Sequence, residues 1–275
     1  MNSTNSRLLE SLESIRLRNT GRIFSNLSTP ALYEEAIRRY DGMLAHLGPL
    51  VVRTGQFTGR LPNDKFIVRE PSSEKRVWWG NVNRPFAPEK FEIVRSRLCA
   101  YLQGKDLFIQ DCYAGADPEY RIPIRVITEK ATACLFARNM FIRDFDREKI
   151  AQHKPEFTVL HAPGFHADPK YRRLPTPGHI LVGGTAYAGE IKKSVFTLMN
   201  YEPPLRRVMA MHCSANYGRQ RESSRTGSMS GPSRRTALIV RPETRKNATY
   251  GSLTAKTVES NLVWQSILGI KPQRL

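Results

Sequence analysis

The sequence contains few cysteines and no long apolar run. None of the four cysteines among its 275 residues forms a Cys-x-x-Cys pair; they are Cys99, Cys112, Cys134 and Cys213. This spacing fits neither a zinc ribbon nor a secreted disulfide framework, and it indicates reduced thiols in a cytoplasmic protein. A membrane-spanning helix needs roughly 18 or more apolar residues in sequence, and no uncharged stretch of that kind is present. The sequence therefore excludes a helical membrane protein.

The last part of the chain lacks aspartate and has few aromatic residues. Residues 217–275 hold 11 basic and three acidic side chains, out of a net charge of +18 for the whole sequence. Apolar periodicity is weak there until residues 262–270, so the segment has little apolar surface to bury and we predict a largely disordered basic tail. The charge itself favours salt-sensitive binding of nucleic acid, but the scarcity of aromatic side chains argues against that function.

The first 216 residues instead predict a mixed α/β domain, because short β-branched and aromatic runs alternate with helical patterns. We predict one helix from Thr29 to Leu47, stopped by Gly48-Pro49, with an apolar stripe that includes Tyr40 and Met43. A second helix is predicted over residues 91–102, ending before Gly104. Strands are predicted at residues 66–68, 107–109, 122–127, 157–160, 180–182 and 208–211.

Two glycine-rich segments are candidates for binding an anion. Residues 53–60 read Arg-Thr-Gly-Gln-Phe-Thr-Gly-Arg and are followed by Asp64-Lys65. Glycines let the backbone approach an anion while a guanidinium binds it through two hydrogen bonds; the alternative is a hairpin turn with exposed arginines. Residues 181–194 predict a strand, a glycine loop and a helix that opens near Glu190, with Lys192 and Lys193 in its first turn. This segment is not a Walker A loop, and a plain strand-to-helix turn with solvated lysines remains the alternative.

Histidines supply weaker candidates for a metal site. His212 follows a candidate strand and could ligate a metal or simply pack. His161 and His166 flank a Pro-Gly pair, and their spacing matches no recognised zinc motif.

Taken together, these segments resemble ATP-dependent phosphoenolpyruvate carboxykinase. The resemblance covers roughly residues 18–216 and implies the mixed-sheet, substrate-binding N-terminal domain of that fold, preceded by a flexible stretch at 1–17. It rests on residues 18–22, 27–36, 46–60, 111–117, 135–143, 165–169, 183–196 and 211–216.

The resemblance implies a lyase of gluconeogenesis that converts oxaloacetate and ATP into phosphoenolpyruvate, ADP and carbon dioxide, with Mn²⁺ or Mg²⁺. By resemblance, Arg60 binds the substrate carboxylate and Tyr187 lines the pocket for substrate and carbon dioxide. Lys193 and His212 are implied metal ligands, and Lys192 contacts the substrate or the transferred phosphoryl group. The family is usually monomeric or a small oligomer, and no membrane partner is implied.

The sequence departs from the family pattern in two places. The segment 170–180 is shorter than in the family and contains two prolines. After Asn216 neither the family's P-loop nor its metal-binding Asp-Asp stretch is recognisable, which counts against ATP binding by this chain. We therefore expect a truncated, catalytically incomplete member with a divergent tail over residues 217–275 and apolar surface left uncovered. The alternative is a basic nucleic-acid-binding or non-catalytic protein.

Overall fold

The largest element of the fold is a mixed β-sheet of six strands. The structure is a computed structural model, and it describes residues 3–61, 64–166, 174–176, 178–208, 214–215 and 238–239. Within these residues the strands are β1 (Ile23–Ser25), β2 (Met43–Leu44), β3 (Leu50–Val51), β4 (Phe66–Val68), β5 (Arg84–Phe86), β6 (Leu107–Ala114), β7 (Ile122–Thr128), β8 (Phe157–Ala162), β9 (Leu174–Thr176), β10 (His179–Gly183), β11 (Ser214–Ala215) and β12 (Leu238–Ile239). The helices in the same residues are α1 (Ser3–Ser14), α2 (Thr29–Arg38), α3 (Pro71–Glu74), α4 (Pro88–Tyr101), α5 (Ala131–Met140), α6 (Arg147–Ala151), α7 (Gly189–Met199) and α8 (Glu202–Leu205).

The chain divides into two units. Of the described residues, the first unit comprises those up to Ala114 and those from Ile122 to Phe196, and it contains the main sheet. The second comprises Gly115–Arg121 and the described residues from Thr197 onward, which include α8 and the short pair β11–β12. None of the helices in the described ranges is both long enough and apolar enough to cross a membrane.

The main sheet has the strand order β1-β6-β7-β8-β10-β9. The pairs β6–β7 and β9–β10 are antiparallel, whereas β1–β6, β7–β8 and β8–β10 are parallel. Parallel neighbours need crossover connections, and α5 and α6 lie in the connection between β7 and β8. The predicted mixed α/β class is therefore confirmed.

Helices cover both faces of this sheet, because successive side chains of a strand point to opposite faces. Leu107 and Ile109 of β6 belong to a core cluster that includes residues of α4, whereas Phe108 belongs to a cluster with residues of α2 and α5. The strand is buried on both sides, which explains the three consecutive apolar residues at its start, Leu107 to Ile109. The predicted second helix is confirmed as α4, whose four periodic side chains are all buried: Phe91, Val94, Leu98 and Leu102.

The helix predicted from Thr29 to Leu47 is wrong in its second half. It ends at Arg38, and the chain then enters β2, which pairs with β3. Tyr40 adopts a left-handed φ of 56°, which a continuing α-helix does not allow. The stripe residues Tyr40, Met43 and Leu47 are consequently exposed.

A contact made by Asp41 supplies the physical reason. Its carboxylate accepts a hydrogen bond from Lys130 Nζ at 2.6 Å and another from the Ala131 backbone N–H at 3.2 Å. Ala131 is the first residue of α5, so Asp41 satisfies one of the free N–H groups at that helix start. The turn at Tyr40 thus places Asp41 at the start of α5, where its contacts favour the turn over a continued helix.

The remaining strand predictions divide into confirmed and untestable ones. The strands at 66–68, 107–109, 122–127, 157–160 and 180–182 are confirmed, and β6 extends further than predicted. Of the strand predicted at 208–211, Val208 is not in a strand and the rest lies outside the described residues. The segment predicted near 263–270 also lies outside them.

Candidate functional site

The two glycine-rich segments meet in the first unit. The backbone N–H of Leu61 donates a hydrogen bond to Glu190 Oε1 at 2.7 Å, which joins the end of the Arg60 loop to the first turn of α7. These residues are 129 positions apart in sequence. A contact of this range brings Arg60 close enough to Lys193 to lower the pKa of that lysine electrostatically.

The loop between β10 and α7 depends on two glycines. Gly184 has a φ of +70°, which favours glycine. A Cβ on Gly189 would collide with the ring of Tyr187, so the absence of a side chain there lets this ring lie against the helix start. The Tyr187 N–H donates to Thr185 Oγ1 at 3.1 Å. The loop therefore holds Tyr187 against the start of α7, the helix that carries the lysine pair.

Lys193 lies in a strongly positive environment. Burial lowers its pKa to about 8, with Arg60 and Lys192 lowering it further and Glu190 opposing them. Its Nζ also lies 5.6 Å from the centre of the Phe196 ring. A lysine ligates metal only as the neutral amine, so a lowered pKa makes this residue a chemically suitable ligand.

Lys65 is a further cation near Glu190, and the sequence alone assigns it no role. Burial lowers its pKa to about 8, and the Glu190 carboxylate opposes that shift. Its Nζ donates to Asn83 Oδ1 at 3.0 Å, and the Asn83 Nδ2 donates to the Trp78 carbonyl at 3.0 Å. Asn83 is itself buried. In the sequence, Lys65 is marked by its position in the Asp64-Lys65 pair after the first motif. The burial of its side chain could not be predicted, because it depends on tertiary packing.

These side chains form what we call the cation cluster: Arg60, Lys65, Lys192 and Lys193, with the carboxylate of Glu190 acting on both Lys65 and Lys193. An excess of positive charge in a partly buried place favours an anionic ligand. The sequence therefore identified three of the four cations, and the structure brings them to one place.

The histidine candidates have different outcomes. His161 is fully buried, with Nδ1 2.9 Å from Thr128 Oγ1 and Nε2 3.0 Å from the Thr185 carbonyl oxygen. Both ring nitrogens are thus engaged within the protein, which argues against a metal ligand. His166 is exposed. His212 lies outside the described residues, and among the residues that are described no cluster of three His, Cys, Asp or Glu side chains could hold a metal.

Comparison with known proteins identifies the family of this arrangement. The family model of phosphoenolpyruvate carboxykinase, in its ATP-dependent form, matches residues 21–238 and so continues beyond Asn216. Phosphoenolpyruvate carboxykinase (ATP) from Geobacter sp. strain M21 is 48% identical over 234 residues, covering 82% of this chain and 44% of the relative. The enzyme of the same name from Thermus thermophilus is 46% identical over 249 residues, covering 86% of this chain and 46% of the relative.

The chain spans less than half the length of these curated relatives. The match nevertheless includes the Arg60 loop, the Tyr187 loop and the lysine pair of α7. Because the family model covers most of the sequence and the identities approach one half, the chain belongs to the ATP-dependent phosphoenolpyruvate carboxykinase family.

Proposed function

We propose that the cation cluster binds the carboxylate of oxaloacetate or phosphoenolpyruvate. The observation that carries this proposal is the hydrogen bond from the Leu61 N–H to Glu190 Oε1, which brings the Arg60 loop to the lysine pair. Both ligands are anions, and the excess charge around Glu190 has the sign that they require. The two relatives from Geobacter and Thermus are both named phosphoenolpyruvate carboxykinase (ATP), which is the same class of enzyme.

Each side chain has a role that its chemistry supports. Arg60 offers a planar guanidinium that can bind a carboxylate through two hydrogen bonds. Lys192 supplies positive charge to the substrate or to a transferred phosphoryl group. Tyr187 lines the site with an aromatic face and a hydroxyl. Loss of carbon dioxide from oxaloacetate leaves an enolate, and pre-placed cations stabilise the negative charge that develops on its oxygen.

The family also implies a divalent metal, Mn²⁺ or Mg²⁺. Lys193 fits a ligand role because its pKa is lowered to about 8, and we propose His212, outside the described residues, as a second ligand. A bound cation would act as a Lewis acid for the enolate and phosphoryl oxygens. Lys192 and Arg60 would then orient the substrate beside it.

We further propose that the chain as given binds this ligand without ATP-dependent turnover. Its sequence contains no Gly-x-x-x-x-Gly-Lys-Ser/Thr segment, and the backbone of such a segment cradles the phosphates in P-loop enzymes. The nearest stretch, residues 227–236, lacks the Gly-Lys pair.

A cytoplasmic location is consistent with four cysteines in an unpaired spacing.

The test is calorimetric titration of the full chain with phosphoenolpyruvate, comparing wild type with Arg60→Gln. We expect binding by the wild type and a loss of ~10-fold or more in affinity for the variant, because a charged hydrogen-bonding group is removed. Arg97→Gln, on the exposed side of α4, is the matched control and should bind as the wild type does. Equal affinity of wild type and Arg60→Gln would refute the substrate assignment.

A coupled assay with oxaloacetate and ATP tests the second part of the proposal. We expect no phosphoenolpyruvate formation by the purified chain in the presence of Mn²⁺ or Mg²⁺. Turnover near that of a full-length relative, measured in parallel, would show that this part is wrong.

A further inference from the structure

His161 lies at the point where two strands of the main sheet meet the Tyr187 loop. It sits near the end of β8, directly opposite Thr128 of β7 on one side and Val182 of β10 on the other. Its side chain is completely buried. Gly183, the last residue of β10, leads directly into the Tyr187 loop.

The hydrogen bonds of His161 form a directed chain. A carbonyl oxygen only accepts, so the contact between Nε2 and the Thr185 carbonyl places the ring proton on Nε2. Nδ1 is then an acceptor, and the Thr128 hydroxyl donates to it. The same Thr128 oxygen accepts from the Lys130 backbone N–H at 3.2 Å. Every group in this chain has a partner, and together they fix the orientation of the imidazole ring.

This chain of hydrogen bonds ends at Thr185, the residue that anchors the Tyr187 loop. The Thr185 carbonyl accepts from His161, while Thr185 Oγ1 accepts from the Tyr187 N–H. The Tyr187 carbonyl in turn accepts from the Glu190 N–H at 3.1 Å, within the first turn of α7. Thr185 is almost completely buried. The orientation of Tyr187 is therefore linked through Thr185 to the imidazole of His161.

We propose that His161 is a positioning residue that holds the Tyr187 loop in the conformation that binds substrate, an inference that rests on the proposed function. A histidine that only filled space would not need both ring nitrogens engaged, since an aromatic hydrocarbon ring fills a similar volume. Removing the ring nitrogens leaves the Thr185 carbonyl and the Thr128 hydroxyl buried without these partners, which is costly. The loop then gains conformations in which the carbonyl reaches water.

The test compares His161→Phe with His153→Phe, a matched substitution away from the loop. His153 also has a buried side chain, and its Nε2 lies 3.2 Å from the Ile124 carbonyl, so the same kind of bond is lost. Amide hydrogen exchange of the full chain without ligand is measured at residues 183–189. We expect exchange of the Tyr187 amide to accelerate ~10-fold or more in His161→Phe, and to be unchanged in His153→Phe.

Calorimetric titration with phosphoenolpyruvate supplies the functional readout. We expect ~10-fold weaker binding by His161→Phe, wild-type affinity for His153→Phe, and partial recovery for His161→Gln, whose amide can donate to the Thr185 carbonyl. If His161→Phe does not fold, Thr128→Val removes the hydroxyl that donates to Nδ1, together with the acceptor of the Lys130 N–H, and should produce smaller changes in the same direction. Unaltered loop exchange in folded His161→Phe, or equal loosening in His153→Phe, would overturn the positioning role.

The two proposals can fail separately. If the wild type does not bind phosphoenolpyruvate, the proposed function is wrong, and the exchange experiment still decides whether His161 orders the loop. If the wild type binds but His161→Phe binds equally well, the substrate assignment stands and the positioning role is rejected.

Discussion

Glu190 has two tasks within the cation cluster. Its Oε1 accepts a hydrogen bond from the Leu61 N–H at 2.7 Å. Its negative charge raises the pKa of both Lys65 and Lys193 and so opposes the lowering caused by burial. The Glu190 carboxylate by itself cannot neutralise four cations. An anion bound at the cation cluster would stabilise the remaining positive charge, which would couple ligand binding to the protonation of the lysines.

Lys65 should contribute to anion binding as a half-buried cation. Lys65→Met keeps much of the side-chain length and removes the charge, so we expect ~10-fold weaker binding of phosphoenolpyruvate by calorimetry. Circular dichroism checks that the variant is folded, since the bond to Asn83 is lost as well. Lys90→Met, at an exposed position of α4, is the control. Wild-type affinity in Lys65→Met would assign this lysine to structure alone.

Burial of His161 should make stability depend on pH. Burial lowers the pKa of this histidine to about 4, against about 6.5 in the unfolded chain. The folded state therefore binds the proton more weakly, and the stability that this residue contributes is complete above about pH 6.5 and lost as pH falls towards 4. We expect the free energy of unfolding to fall by about 3 kcal/mol over that interval, measured by urea denaturation at a series of pH values.

His161→Gln isolates this effect because glutamine does not titrate. The variant should lose much of the decline between pH 6.5 and 4. His153→Phe should keep most of the decline. Burial lowers the pKa of His153 as well, so this substitution should remove only a smaller part of the pH dependence. A decline of equal size in wild type and His161→Gln would contradict the assignment.

Among the elements, α4 and β6 differ in how far the sequence could predict them. The apolar positions of α4 coincide with its buried face, so local periodicity was sufficient. In β6 only the apolar start was predicted, because Gln110 and Asp111 interrupt the apolar run. Asp111 is opposite Arg125 on β7, and the Arg125 Nε donates to its Oδ1 at 2.6 Å. Buried polar partners of this kind come from a distant strand, which local patterning does not reveal.

The same distinction applies to the candidate site. Glycines, arginines and paired lysines mark both loops in the sequence, because close backbone approach and anion binding need those residue types. The burial of Lys65 and the bond from Leu61 to Glu190 depend on packing between segments far apart in sequence. The sequence offers His161 as a weak candidate for a metal ligand, and its two hydrogen-bond partners in the structure identify it as a structural link.

The helix start at α5 offers a test of why α2 ends early. Asp41→Ala removes acceptors for the Ala131 N–H and for Lys130 Nζ. We expect the free energy of unfolding to fall by about 1–3 kcal/mol, from the lost helix cap and the lost charged hydrogen bond. Glu34→Ala, at an exposed position of α2, is the control and should change stability by less than about 0.5 kcal/mol. Equal effects of the two substitutions in urea denaturation would contradict the capping role.

For the whole molecule, the distribution of charge separates two kinds of anion binding. The net charge is +18, and residues 217–275 hold 11 basic against three acidic residues. Binding that relies on such diffuse charge is sequence-independent and falls steeply with salt. The cation cluster is partly buried, and salt screens buried charges much less than exposed ones. Salt dependence therefore distinguishes a nucleic-acid-binding function from a small-molecule site.

We expect the full chain to bind duplex DNA weakly at about 50 mM salt and to lose ~10³-fold or more of that affinity by about 200 mM. Phosphoenolpyruvate affinity should change less than ~10-fold over the same range, because its contacts lie in the cation cluster. Fluorescence anisotropy measures the first interaction and calorimetry the second, on one preparation. DNA binding that persists at the higher salt, together with no phosphoenolpyruvate binding, would favour the nucleic-acid function over the substrate site, since diffuse charge alone does not survive such screening.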